Sequence, residues 1–160
     1  MLSRDAVVRQ VAAWRDSGRQ VVFTNGVFDI LHPGHVRYLQ QARRFGEALV
    51  VGINTDGSVR RNKGSSRPIV PEAERAEAIA AVSAVDAVVL FDEDTPAAII
   101  EAVQPDVLVK GADWPADQIV GRDTVEGRGG RVERIAVEDG YSSTAIIEQI
   151  RRGSRAPGRA

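Results

Sequence analysis

Apolar residues recur along this chain in two rhythms, and the alternation between them dictates an order of elements. Val7, Val8, Val11 and Trp14 return at helical spacing between Ser3, a capping residue, and Gly18, which predicts an amphipathic helix. Gln20 to Thr24, centred on Val21-Val22-Phe23, reads as a buried strand that breaks at Asn25-Gly26. A helix follows from Pro33 through Arg44, with Val36, Leu39 and Ala42 on one side and Gly46 beyond its end. Ala48 to Ile53 is the next β-rich run. Arg60 to Arg67 carries charge and turn residues without an apolar period, which predicts a loop. Pro71, with Glu72 and Glu74 in the first turn, opens a helix to about Val82.

The second half repeats the alternation. Ala87 to Phe91 reads as a strand, Thr95-Pro96 as the cap and start of a helix to Val103, and Asp106 to Val109 as a further strand running into Lys110-Gly111. Gln118 to Glu126 is a weak helical stretch. Val132 to Val137 is a fifth strand, and Ser142 to Arg152 a closing helix. Strands separated by helices imply βαβ units. The expected fold is therefore one doubly wound, Rossmann-like α/β domain over residues 1–152, with a parallel five-stranded sheet covered by helices on both faces. The small, basic and proline residues of 153–160 predict a tail without fixed structure.

Composition narrows the function classes. In 160 residues, 43% hydrophobic and 27% charged content is ordinary for a globular protein. Balanced charge, 21 basic against 22 acidic residues, gives no reason to expect a nucleic-acid partner. With no cysteine, disulfides and thiolate metal sites are excluded. No apolar run nears the roughly 20 residues that span a bilayer, and Met1 to Asp5 lacks a secretory pattern. A cytoplasmic enzyme without membrane contact is the expectation.

In doubly wound sheets, ligands sit beyond the carboxyl ends of strands. The loop after the first strand holds both histidines of the chain, in His32-Pro33-Gly34-His35. Pro33 is preset for a first helical turn, and Gly34 lets a phosphate approach the backbone. Positions three apart share a helix face, so His32 and His35 can address one ligand beside a helix start rich in free N–H donors. That combination suits charge developing on a phosphoryl group. Two solvent-facing histidines beside a turn are the bland alternative. The spacing Gly52 to Ser58 mimics a P-loop but lacks its lysine, and Gly127 to Gly130 lacks the dinucleotide fingerprint.

Thr24 through His35, Asn54-Thr55-Asp56, Lys63-Gly64, Arg67-Pro68, Glu74-Arg75, Val109 to Asp113 and Glu138 to Thr144 together resemble the cytidylyltransferase-like nucleotidyltransferases. Within them the pattern is most similar to the D-glycero-β-D-manno-heptose 1-phosphate adenylyltransferase group, either standalone or as half of a bifunctional kinase, over roughly residues 20 to 151. No sugar-kinase pattern accompanies it, which implies a standalone transferase. The resemblance implies AMP transfer from ATP to the sugar 1-phosphate, Mg²⁺ carried on the triphosphate, no protein metal site and a possible homodimer. It further implies catalytic roles for His32, His35 and Lys63. Thr24, Asn25, Gly26, Phe28, Gly34, Arg75, Gly111 and Asp113 would serve the nucleotide. Ser142, Ser143 and Thr144 would hold the outgoing phosphates, and Asp29, Asp56 and Lys63 would meet the substrate.

The residues keep simpler readings open. Lys63 also fits a solvated member of its basic run, Asp29, Asp56 and Asp113 also fit ordinary turn aspartates, and Arg75 also fits a surface partner of Glu72. The stretch Glu138 to Thr144 lacks the arginine that opens the corresponding signature of glycerol-3-phosphate cytidylyltransferases, and Ser143 stands where the heptose branch more often has threonine. Two other functions remain: a cytidylyl- or guanylyltransferase acting on another alcohol or sugar phosphate, and a nucleotide-binding module without turnover.

Overall fold

A computed structural model describes residues 1–136 and 140–153. The sheet consists of β1 (Val21–Gly26), β2 (Ala48–Asn54), β3 (Ala87–Phe91), β4 (Val107–Gly111) and β5 (Arg131–Ile135), in the order β3-β2-β1-β4-β5. Every pairing is parallel. The helices are α1 (Arg4–Asp16), α2 (Pro33–Arg43), α3 (Asp56–Lys63), α4 (Glu72–Ala80), α5 (Ala97–Val103), α6 (Arg122–Glu126) and α7 (Ser143–Gly153).

Strict alternation of side chains along the strands builds two cores. Val21, Phe23, Val50, Val89 and Leu108 face α1, α5 and α6, contributing with Val7, Val11, Ile99 and Ile100 to one cluster. Val22, Leu49, Val51, Val88, Val107 and Val109 point the other way, against Leu39 and Ala42 of α2 and Ala76 and Ile79 of α4. Each such fully buried side chain contributes roughly 1.5–3 kcal/mol, so both faces are held independently. The expected doubly wound, five-stranded parallel sheet is the observed one.

Several expectations shift in detail. The basic stretch read as a loop is helical through Lys63. Thr55 caps it by accepting the Ser58 N–H at 3.2 Å, and burial of Ser58 and Val59 anchors a helix too short to show an apolar period. Pro96, not Thr95, precedes α5, and no side chain caps that helix. The span Gln118 to Glu126 divides into a 3-10 turn, Ala116–Gln118, and α6, because Gly121 adopts a left-handed φ of 90° between them. The fifth strand runs Arg131–Ile135; Val137, Glu138, Asp139 and the tail from 154 onward lie outside the described residues.

The chain winds from β1 through β2 to β3 on one side, then crosses back to place β4 on the other. The carboxyl ends of β1 and β4 therefore diverge into loops that leave in opposite directions, opening a crevice at that point.

Candidate active site

A cavity of about 770 Å³ occupies this crevice. Asn25, Gly26, Phe28, Asp29, His32, Gly34, His35, Lys63, Gly111, Asp113, Ser142, Ser143 and Thr144 all line it. Residues more than 100 positions apart in sequence thus share one wall.

His32 is the residue before α2 rather than part of its face. Its extended backbone (φ −138°) turns the imidazole back, and Nδ1 accepts the His35 N–H at 3.3 Å. A neutral His32 that accepts through Nδ1 keeps Nε2–H as its donor. The two rings stack with centroids 3.7 Å apart, and Phe28 meets His35 edge-on at 5.2 Å. Phe28 holds a left-handed φ of 49°, an uncommon state for an aromatic residue, which folds its ring over Gly26. Burial, and then the adjacent His32, pushes His35 down to about 4, while burial lowers His32 as well. Both shifts favour the neutral imidazole. Nδ1 of His35 is buried without a hydrogen-bond partner among the described residues.

The start of α7 meets this pair. Ser142 caps the helix, its Oγ accepting the Ala145 N–H at 3.4 Å, and Ser143 Oγ donates to Ile30 O in the histidine loop at 3.2 Å. Tyr141 stacks on His32 with centroids 6.0 Å apart, and the Arg37 guanidinium lies 5.4 Å from the Tyr141 ring centre. A Cβ on Gly34 would fall 2.9 Å from Tyr141 Cβ and 3.1 Å from His32 Nδ1, so only glycine lets the two helix starts close together. The starts of α2 and α7, where helices leave backbone N–H groups without intrahelical partners, thus border the same cavity.

Three expected site residues stand behind the wall instead. Thr24 is fully buried and shares a 2.8 Å hydrogen bond with Tyr38 Oη. Arg75 is neither on the helix surface nor at the cavity. Its guanidinium is buried and donates to Val70 O at 2.9 Å, Val27 O at 2.6 Å, Asn54 O at 2.8 Å and Asp56 Oδ1 at 2.8 Å. Asp56 is engaged by that ion pair, and Glu72 accepts the Asp56 N–H rather than pairing with Arg75. Asp29 does reach the cavity, yet its carboxylate accepts from Arg67 Nε at 2.6 Å and from the Ile69 and Val70 N–H groups at 2.8 and 2.9 Å. It anchors the 67–70 segment.

Arg37, Tyr38, Gln41, Arg67, Lys110, Trp114 and Tyr141, to which the sequence assigned no individual role, also line the cavity. For Tyr38 and Gln41 a signal existed: they continue the three-residue spacing of His32 and His35 along α2. Lys110 lies at the carboxyl end of β4, one residue before its last, a position that by itself marks a ligand-facing residue. Trp114, 53% exposed at the rim, carried no periodic signal.

Residues 23–149 match the cytidylyltransferase-like family. The chain belongs to this family. As a member it is a nucleotidyltransferase. Among curated proteins it is similar to the bifunctional protein HldE of Geotalea uraniireducens, 57% identical over 150 residues, which cover 94% of this chain and 31% of that protein. HldE of Hyphomonas neptunium is 51% identical over 153 residues, 96% of this chain and 32% of the relative. The chain thus spans about a third of the length of the curated relatives it matches. A crystal structure of the lipopolysaccharide core biosynthesis protein from Thermoplasma volcanium superposes with a TM-score of 0.66 at 33% identity, over 76% of this chain and all of that one. No helix among the described residues is long and apolar enough to cross a membrane.

Proposed function

We propose that this nucleotidyltransferase moves AMP from ATP onto a sugar 1-phosphate, D-glycero-β-D-manno-heptose 1-phosphate, releasing pyrophosphate and an ADP-sugar. The observation that carries the reading is the meeting of the α2 and α7 starts across Gly34, with His32 and His35 between them. The similarity to HldE favours the heptose phosphate over other acceptors.

The reaction is a direct displacement. An oxygen of the sugar phosphate attacks the α-phosphorus of ATP, and the bond to the bridging oxygen of pyrophosphate breaks. A phosphate monoester is already nucleophilic near neutrality, so the site needs position and charge neutralisation rather than a strong base. His32 and His35 would donate to the phosphoryl oxygens, Ser142 to Thr144 and the free N–H groups of α7 would take the departing phosphates, and Lys63 would close over them from the end of α3. Gly111 and Asp113 would border the nucleoside. Mg²⁺ would arrive on the triphosphate and neutralise its charge there.

Pyrophosphate release should be measured with ATP, CTP and GTP, each against a panel of sugar and alcohol phosphates. The expected result is release with ATP and the heptose 1-phosphate above every other pairing. Preference for CTP or GTP would reassign the nucleotide, and nucleotide binding without release under any pairing would leave a binding module.

A further inference from the structure

Lys110 has no part in the chemistry described so far. It is the penultimate residue of β4, its side chain lines the cavity, and its ammonium donates to Asn25 Oδ1 across the β1–β4 seam. The register Val22↔Val107 and Phe23↔Leu108, continued two residues, brings Asn25 alongside Lys110. Among the described residues its hydrogen-bond partner is thus a neutral amide, and no carboxylate forms an ion pair with it; Asp113 acts on it only through its field. An ammonium has three donors, and Asn25 takes one. Burial pushes this lysine down to about 8, so holding the charge there is costly until an anion arrives.

Its position selects which part of the anion that is. On the proposed reading the α7 start takes the outgoing phosphates, and Gly111 and Asp113, one and three residues beyond Lys110, border the nucleoside. Lys110 stands between them, at the carboxyl end of the strand that forms one lip of the crevice.

We propose that Lys110 is the cation that contacts the transferred phosphoryl group, aimed by Asn25, and that it must be protonated for turnover. The inference rests on the nucleotidyl-transfer reading and adds to it a residue outside the histidine and serine-threonine elements. Lys110 keeps its proton throughout; the bond made is from acceptor oxygen to α-phosphorus, and the bond broken is to pyrophosphate.

The test is steady-state pyrophosphate release by the full chain, as wild type, K110M and K110R, between about pH 6 and 10. The wild type should lose kcat/KM as pH rises through the free lysine's titration near 8. K110M should lose about a hundredfold or more in kcat at every pH, as for loss of a charge-stabilising donor, with the ATP KM little changed. K110R, charged throughout, should recover part of that loss and lack the alkaline limb. A limb that persists in K110R, or K110M turnover within a few-fold of wild type, overturns the assignment while wild-type release upholds the parent reading. Should K110M not fold, the comparison of wild-type and K110R limbs still decides. Failure of the wild type to release pyrophosphate with any pairing overturns both.

Discussion

Replacing Arg75 with methionine keeps an unbranched stem but deletes a buried guanidinium that fastens four segments together. Val27 O lies beyond β1, Asn54 O ends β2, Val70 O precedes α4, and Asp56 Oδ1 opens α3, each 2.6–2.9 Å from a guanidinium nitrogen. The variant leaves three carbonyls and a carboxylate without this donor. Asp56 is one-fifth exposed and retains Arg60 at 4.0 Å, so part of its loss is recovered by solvent and by that neighbour. Breaking a buried pair costs about 3–5 kcal/mol, and the lost carbonyl bonds keep the estimate in that range because such terms do not add fully. Against a typical stability of about 5–15 kcal/mol, this is a large fraction. With a urea m-value of about 2 kcal/mol per M, the unfolding midpoint should fall by roughly 2 M. R75K, a point charge with three donors, should recover less than half of the loss. Conditions that keep R75M folded should show an ATP KM close to wild type, because the side chain does not line the cavity. A midpoint shift below about 0.5 M, or a folded variant with a strongly raised KM, would refute a purely structural role.

His35→Ala should cut pyrophosphate release by about a hundredfold or more, since it removes a donor from the reacting centre; unchanged release would dismiss the histidine from the chemistry. ATP binding near pH 5.5 should take up protons. The free protein keeps His35 neutral down to about 4, whereas a polyanion beside it raises that value, so the bound state holds more protons in the window between. Calorimetry in buffers of different ionisation enthalpy reads this directly, and zero uptake would contradict it. By the same sign, stability without ligand should fall as pH drops from about 6.5 toward 4, because there the unfolded chain binds the proton first. Gly34→Ala should force Tyr141 from His32, lowering kcat more than tenfold while the melting temperature moves little; near-normal turnover would show that the two helix starts need not close together.

The sheet was legible because Val21-Val22-Phe23 and Val107-Leu108-Val109 are apolar in both alternating phases, which only a strand buried on both faces requires. Pro33 and Ser142 announced their helix starts through local chemistry, a fixed φ in one case and a capping hydroxyl in the other. Helix α3 was hidden because eight residues with two buried positions offer too little period. Arg75 was misplaced for a different reason: its partners at Val27, Asn54 and Asp56 lie 19 to 48 positions away. Charge invites a surface or ligand reading when convergence of distant carbonyls cannot be seen.

The electrostatics of the cavity follow from that same convergence. Two imidazoles stacked at 3.7 Å cannot both carry charge cheaply, and burial moves His35 and Lys110 toward their neutral forms. A site for a polyanion could instead rest wholly on permanently charged arginines; of those on this wall, Arg67 is paired with Asp29 and Arg37 lies over the Tyr141 ring. Fixed cations of that kind would bind ATP and pyrophosphate alike, giving up selectivity for the reacting state and slowing release of product. A neutral imidazole that becomes a better donor as a phosphoryl oxygen arrives strengthens as charge builds on that oxygen. The permanent guanidinium of Arg75 is correspondingly spent on the scaffold behind the wall, where it fixes the loops that aim these weaker groups.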